Sequence, residues 1–196
     1  MQEFNFIGLI IFTVIILITP GPAVISTLYS GINYGYKKSF PYILGMVSGY
    51  CINLSLGVLG LGLIVKNAQL YIGFKYLMFA YIFYLAYKIA FSSALKEGHT
   101  SKPLGFFKGV LLNVLNPKAY VAALSSISQF SLANAYSETV AYIVVVNLIV
   151  AFTSQNLWCL LGQGIKKFFT HPRWYKYINI LLALLLISSV LCAYIQ

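Results

Sequence analysis

Two short stretches hold the residues of this chain best placed to do chemistry: "ITPGPA" at 18–23 and "NVLNPK" at 113–118. Each sets proline inside an apolar run, and the first run carries no charged residue between Phe4 and Tyr36. Proline lacks a backbone N–H and clashes with the preceding turn, so Pro20, Pro22 and Pro117 should break or kink any helix running through them. In lipid the freed carbonyls have no water to bind. Such breaks survive at membrane depth only where protein buries them or a wet cavity receives them. A break also bares N–H groups at the start of the second half-helix, and the helix dipole makes that start positive. Pro22 and Pro117 both suit the first helical position after a break. Two such starts, one beside Gly21 and one beside Asn116, can face a single anion such as a carboxylate.

Lys118 directly follows Pro117 and is the one cation deep inside an apolar segment. A charge there costs about 2.5–3.5 kcal/mol on insertion scales, so it should face a cavity or a partner. Snorkelling is the alternative, although a mid-segment lysine has a long reach to either surface. The chain has no Asp, and Glu3, Glu97 and Glu138 all lie near the ends of apolar runs. Backbone carbonyls, water or an anionic substrate group are left as partners for Lys118. Other polar groups fall within apolar stretches. Asn53 lies on a stripe with Gly45, Gly49 and Gly57 at intervals of four, a pattern that lets a second helix approach closely. Its side chain can bond across that interface or into a cavity. Asn147, Ala151, Ser154 and Gln155 share one helical face, with Asn156 beside them, and suit either a polar path or interhelical bonding. The candidate substrate-binding set is Pro20, Gly21, Pro22, Asn53, Asn116, Pro117, Lys118 and Gln155.

Several chemistries are excluded. No nucleophile, base and orienter assemble into a hydrolase pattern, so no enzymatic activity and no catalytic residue is expected. No acidic metal cage can be built, His99 and His171 sit in basic loops, and neither a metal nor a cofactor is expected. Cys51, Cys159 and Cys192 are scattered without a C-x-x-C pair and read as small apolar packing residues. The net charge of +10 comes from lysines in short segments between apolar stretches, not from a basic groove, which argues against nucleic acid.

The elements that position these residues follow from composition. Of 196 residues 60% are hydrophobic and 8% charged, with a mean hydropathy of +0.85. A span needs about 20 apolar residues, and six segments qualify: 4–30, 41–65, 69–91, 105–130, 138–163 and 174–195. The start of the chain lacks the basic n-region of a signal peptide, so the first segment is expected to stay as a span. The stretch "SSALKEGHTSKP" reads as a loop. It divides the chain into a three-span repeat over 1–92, a cytoplasmic loop over 93–104 and a second three-span repeat over 105–196, all in one membrane domain.

Lysine and arginine concentrate in the first, third and fifth loops, at Lys37, Lys38, Lys88, Lys96, Lys102, Lys108, Lys166, Lys167, Arg173 and Lys176. The other loops and both termini hold only Lys66 and Lys75. Positive loops stay cytoplasmic, which puts both termini outside. Three spans per half then make the halves antiparallel, and matched breaks in two inverted halves point to a transport site. The expected fold is all-α, an integral membrane protein of six helices in two inverted three-helix repeats with spans one and four broken.

The motifs "TPGPAVISTLYSGINYGYKKS", "ILGMVSG", "KYLMFAYIFYLAYK" and "FFKGVLLNVLNPKA" resemble the LysE/RhtB type of bacterial amino-acid exporter over about residues 10–130. The resemblance implies a secondary transporter in the bacterial cytoplasmic (inner) membrane that exports an amino acid or a similar small carboxylate. Its motif positions map to Pro20, Gly21, Pro22, Asn116, Pro117 and Lys118, with Tyr81 matching a third-span tyrosine. The chain departs from the pattern at Tyr50, where many members carry an acidic residue, and at Ser128, where a proline is usual. The implied partners are a small amino acid or derivative, the lipid bilayer and, as an open choice, a second copy of the chain. Two other readings stand beside export. A thiol-redox relay on a related six-span fold would need a reactive cysteine pair beside the breaks. A non-transporting membrane scaffold would need neither matched breaks nor Lys118.

Overall fold

The computed structural model describes residues 4–59, 68–91, 103–166 and 172–195, and the regular elements among them are all helical. Eight α-helices follow in order: α1 Phe6–Ile18, α2 Pro22–Tyr34, α3 Tyr36–Val58, α4 Ala68–Ala90, α5 Phe106–Val114, α6 Pro117–Phe130, α7 Tyr136–Lys166 and α8 Pro172–Ile195. A short 3₁₀ turn, Ala133–Ala135, leads into α7. The end of the expected second span and nearly all of the expected 93–104 loop lie outside the described residues.

Both proline stretches break their helices. Thr19 precedes a proline and is extended, with ψ 133°, so α1 stops at Ile18 and α2 restarts at Pro22 at an angle of 58°. The second stretch repeats the pattern: α5 stops at Val114 and α6 restarts at Pro117, bent by 65°. Helices Tyr36–Val58 and Ala133–Ile165 are each long and apolar enough to cross a membrane, and each bent pair passes the same test taken as one span. Helix α3 begins earlier than position 41, where the apolar pattern placed it. Pro41 is tolerated within its first turns because the N–H it lacks would have bonded only to Lys37, near the helix start. Gly35 alone joins α2 to α3. Its φ of 75° is the one positive φ among the described residues, and it lets the chain reverse in a single residue.

Helix α3 packs against α5, α6 and α7; α2 packs on α7, α1 on α7, and α4 on α8. Exchanging α1–α4 for α5–α8 turns the α3–α5 contact into α7–α1 and the α2–α7 contact into α6–α3. It leaves α3–α7 and α4–α8 as they are. Two of these crossings are backbone to backbone. A Cβ on Gly45 would fall on the Phe106 carbonyl, and one on Gly109 would fall on that of Tyr42. At the other crossing a Cβ on Gly31 would meet the Cys159 carbonyl, and one on Gly162 that of Leu28. The stripe of Gly45, Gly49 and Gly57 therefore serves close packing, as its spacing suggested.

Buried side chains gather in three clusters. The largest joins Ile25, Tyr29, Tyr42 and Met46 to Ile82 and Ile89 of α4 and Leu182 of α8. A second, mostly of small residues, sets Ala119, Ala122, Ala123 and Ala151 around Tyr50 and Leu54. The outward faces stay apolar: Ile7, Ile11 and Ile15 recur every four residues along α1 and are all more than half exposed, as are Val145, Ile149 and Leu157 of α7. Apolar surface on this scale suits acyl chains, not water.

Candidate functional site

Breaking α1 at Ile18 leaves its last carbonyls without partners in the helix, and side chains from the other half of the chain receive them one by one. Ser154 Oγ donates to the Leu17 carbonyl at 3.0 Å, and Trp158 Nε1 donates to that of Ile18 at 3.2 Å. Lys118 Nζ donates to the Thr19 carbonyl at 2.6 Å, with the Pro20 carbonyl farther off at 3.5 Å. The lysine that follows the second break thus ends on the first. Its aliphatic stem crosses Gly21, where an added Cβ would lie 2.8 Å from Lys118 Cδ. Helix α2 then restarts with extended Gly21 as its N-cap, which offers no side-chain oxygen to its first-turn N–H groups.

The second break is held differently. Asn116 caps α6 with its own Oδ1, which accepts from the Lys118 N–H at 3.1 Å. The Asn113 carbonyl accepts from Asn116 N–H at 3.1 Å and from Asn53 Nδ2 at 2.8 Å. Asn113 Nδ2 in turn donates to the Met46 carbonyl at 2.6 Å. Asn53 therefore braces the second break from α3.

Between the breaks lies a cavity of about 30 Å³, lined among others by Thr19, Gly21, Tyr50, Asn113, Asn116, Lys118 and Gln155. That is room for ordered water between polar groups. Of the residues singled out by sequence, Gly21, Asn116, Lys118 and Gln155 meet at this cavity. Pro20, Pro22 and Pro117 shape the breaks beside it, and Asn53 stands behind Asn113. Gln155 accepts from the buried Thr27 hydroxyl of α2. Asn147 accepts from Tyr50 Oη at 2.7 Å and from Ser126 Oγ at 3.3 Å, while its Nδ2 donates to the Ile143 carbonyl at 2.9 Å. The polar face of α7 thus bonds to neighbouring helices, and only its Ala151 and Gln155 reach the cavity.

Thr19, Tyr50 and Asn113 complete the site and were not among the candidates. Asn113 comes beside the second break because α5 stops at Val114, and no spacing in the sequence marks it. Tyr50 could have been found from the substitution of a hydroxyl where the resemblance offers a carboxylate. Among the described residues no group of three His, Cys, Asp or Glu is placed to hold a metal. Cys51 and Cys159 are free thiols, and neither lines the cavity.

Residues 14–191 match the family model described as LysE type translocator. Curated relatives include the cysteine/O-acetylserine efflux protein of Escherichia coli O139:H28, 30% identical over 181 residues and 90% of each chain. The proteins of the same name from Salmonella choleraesuis and from Escherichia coli K12 are each 29% identical, again over 90% of both chains. No solved structure matches the chain.

Proposed function

We propose that this chain, which belongs to the LysE type translocator family, exports a small zwitterionic amino acid from the cytoplasm by alternating access around the two broken helices. The observation that carries the reading is the meeting of both breaks at one polar cavity, with Lys118 reaching from the second to the Thr19 carbonyl of the first. The cargo carboxylate sits at the uncapped start of α2, beside Gly21 and Pro22, where N–H groups and dipole favour an anion. Lys118 turns to meet it. Asn116 and Pro117 set the lysine's position, Asn53 braces them, Pro20 and Pro22 keep the first break open, and Gln155 borders the cargo. The curated relatives named for cysteine/O-acetylserine efflux make those two compounds the first cargoes to try.

The architecture proposed is six spans in two inverted halves. The exchange symmetry of the helix contacts supports it. So does the gathering of positive charge: Tyr36 N–H donates to Gln163 Oε1 at 2.6 Å, which brings the Lys37–Lys38 turn beside the end of α7 near Lys166. We assign that end to the cytoplasm and both chain termini to the exterior. With the native cysteines replaced by serine, a cysteine at Asn134 should label with an impermeant thiol reagent from outside and one at Lys38 should not. The reverse pattern would overturn the orientation.

We read the state described as closed, because Lys118 of the second half bonds across the site to the first break. Loading requires the halves to part. The test is efflux of labelled O-acetylserine or cysteine from preloaded proteoliposomes. Losing a hydrogen bond between charged groups costs about 1.5–3 kcal/mol, so Lys118→Ala should slow efflux roughly tenfold or more at equal protein. Wild-type efflux from Lys118→Ala would remove the site from this cavity.

A further inference from the structure

The bond between Lys118 and α1 identifies what the site accepts besides a carboxylate. An ammonium has three N–H donors, and in this closed state Lys118 Nζ makes one short bond, to the Thr19 carbonyl, and one long contact, to that of Pro20. Among the described residues the counter-charge is not a side chain: the one acid there is Glu138, in the first turn of α7, and Lys118 Nζ bonds backbone carbonyls. The counter-charge is the negative end of the α1 dipole, amounting to about half an elementary charge. Its three caps differ in kind. Ser154 and Trp158 are neutral, and neither lines the cavity, whereas Lys118 is charged and does. A second acceptor belongs to a residue of the same cavity wall, and Lys118 Nζ does not bond it. Asn113 is only 4% exposed and lines the cavity, and its Oδ1 is buried without a hydrogen-bond partner among the described residues. A buried acceptor left unpaired costs free energy that a donor-rich ligand would recover and an anion would not.

We infer, resting on the transport reading above, that the carbonyls of Thr19 and Pro20 together with Asn113 Oδ1 form a primary-ammonium subsite. Lys118 holds its carbonyl part in the empty protein, and the cargo's own ammonium takes that part, together with Asn113, on loading. Displacement follows from occupancy, because Lys118 Nζ already holds the Thr19 carbonyl that the cargo ammonium would take. It is also balanced in charge: a zwitterion adds none, so the freed Lys118 meets the carboxylate as the cargo ammonium replaces it on the carbonyls. The subsite selects for a free amino group. A carboxylate without one would leave the acceptors bare after pushing Lys118 away.

The experiment vacates the subsite and refills it with a small amine. Purified Lys118→Ala, with Lys118→Met alongside to keep the stem, is heated in detergent with n-propylammonium, methylammonium or tetramethylammonium chloride at equal ionic strength. The two primary amines should raise the unfolding midpoint of one or both variants saturably. Tetramethylammonium, which has no N–H, should not, and wild type should not respond because its own lysine holds the place. No shift, or the same shift with tetramethylammonium, overturns the subsite. Transport separates this outcome from the reading beneath it. Wild-type proteoliposomes should export a free amino acid and fail with its N-acetyl derivative. Equal export of both sinks the ammonium subsite and leaves the transporter standing, whereas amine rescue without export of any amino acid leaves the subsite and sinks the transporter.

Discussion

At the second break the new helix is capped from within: Asn116 Oδ1 holds its first turn, while Asn113 and Asn53 tie the turn to α3 of the other half. At the first break the local bonds end with Thr19, whose N–H and hydroxyl turn back to the Ile15 carbonyl. Gly21 offers no cap, and the carbonyls of Leu17, Ile18 and Thr19 are received by Ser154, Trp158 and Lys118 of the other half. The bends are similar, 58° and 65°, and both are tied across the halves, but only the second has its helix start capped by its own side chain and only the first holds a charged bond. On the proposed transport cycle the charged bond is the one that loading exchanges for bonds to the cargo. Binding and movement would then be coupled at the first break, with the capped second break carrying Lys118.

The contrast can be attacked at Gly21, where the largest effect is expected. Its φ of −167° is ordinary extended backbone, so Gly21→Ala adds no backbone strain, only a methyl 2.8 Å from Lys118 Cδ. That should push the lysine off the Thr19 carbonyl and slow efflux roughly tenfold, by loss of a charged hydrogen bond worth about 1.5–3 kcal/mol. Efflux at the wild-type rate would show that the path of the lysine over Gly21 is not needed. The second break should answer in stability first: Asn116→Ala removes an N-cap worth about 1 kcal/mol. A lowered unfolding midpoint in detergent is expected, and an unchanged midpoint would mean that the platform is not held by its cap. The smallest effect belongs to Ser154→Ala. Membrane hydrogen bonds average about 0.6 kcal/mol, so the midpoint should barely move. A loss as large as that of Asn116→Ala would erase the distinction between the two breaks.

The sequence disclosed the breaks because proline forbids the helix by its own geometry, wherever the rest of the chain lies. It disclosed Lys118 as a charge in need of a partner for the same local reason. The partner itself was out of reach: Thr19 lies at the far break, and only the packed structure brings the two together. The glycine stripe of α3 was legible from its period. Gly31, Gly109 and Gly162 were not, since each is a single glycine whose meaning lies in the carbonyl opposite. Asn113 stayed hidden because a buried acceptor without a donor looks, in sequence, like any other asparagine.

The two glycine crossings, Gly45 and Gly109 between α3 and α5 and Gly31 and Gly162 between α2 and α7, both join one half of the chain to the other. A carbonyl seated on a bare Cα has no side chain between to yield, so these points resist shear more than any contact made through leucines. They can still turn, as a knuckle does. Rotation about them moves nearby atoms little and distant ones much, which makes them fulcra and the longer helices levers. On the proposed transport cycle, a bulkier residue at a fulcrum would wedge the joint and stop the stroke without touching the lining of the cavity.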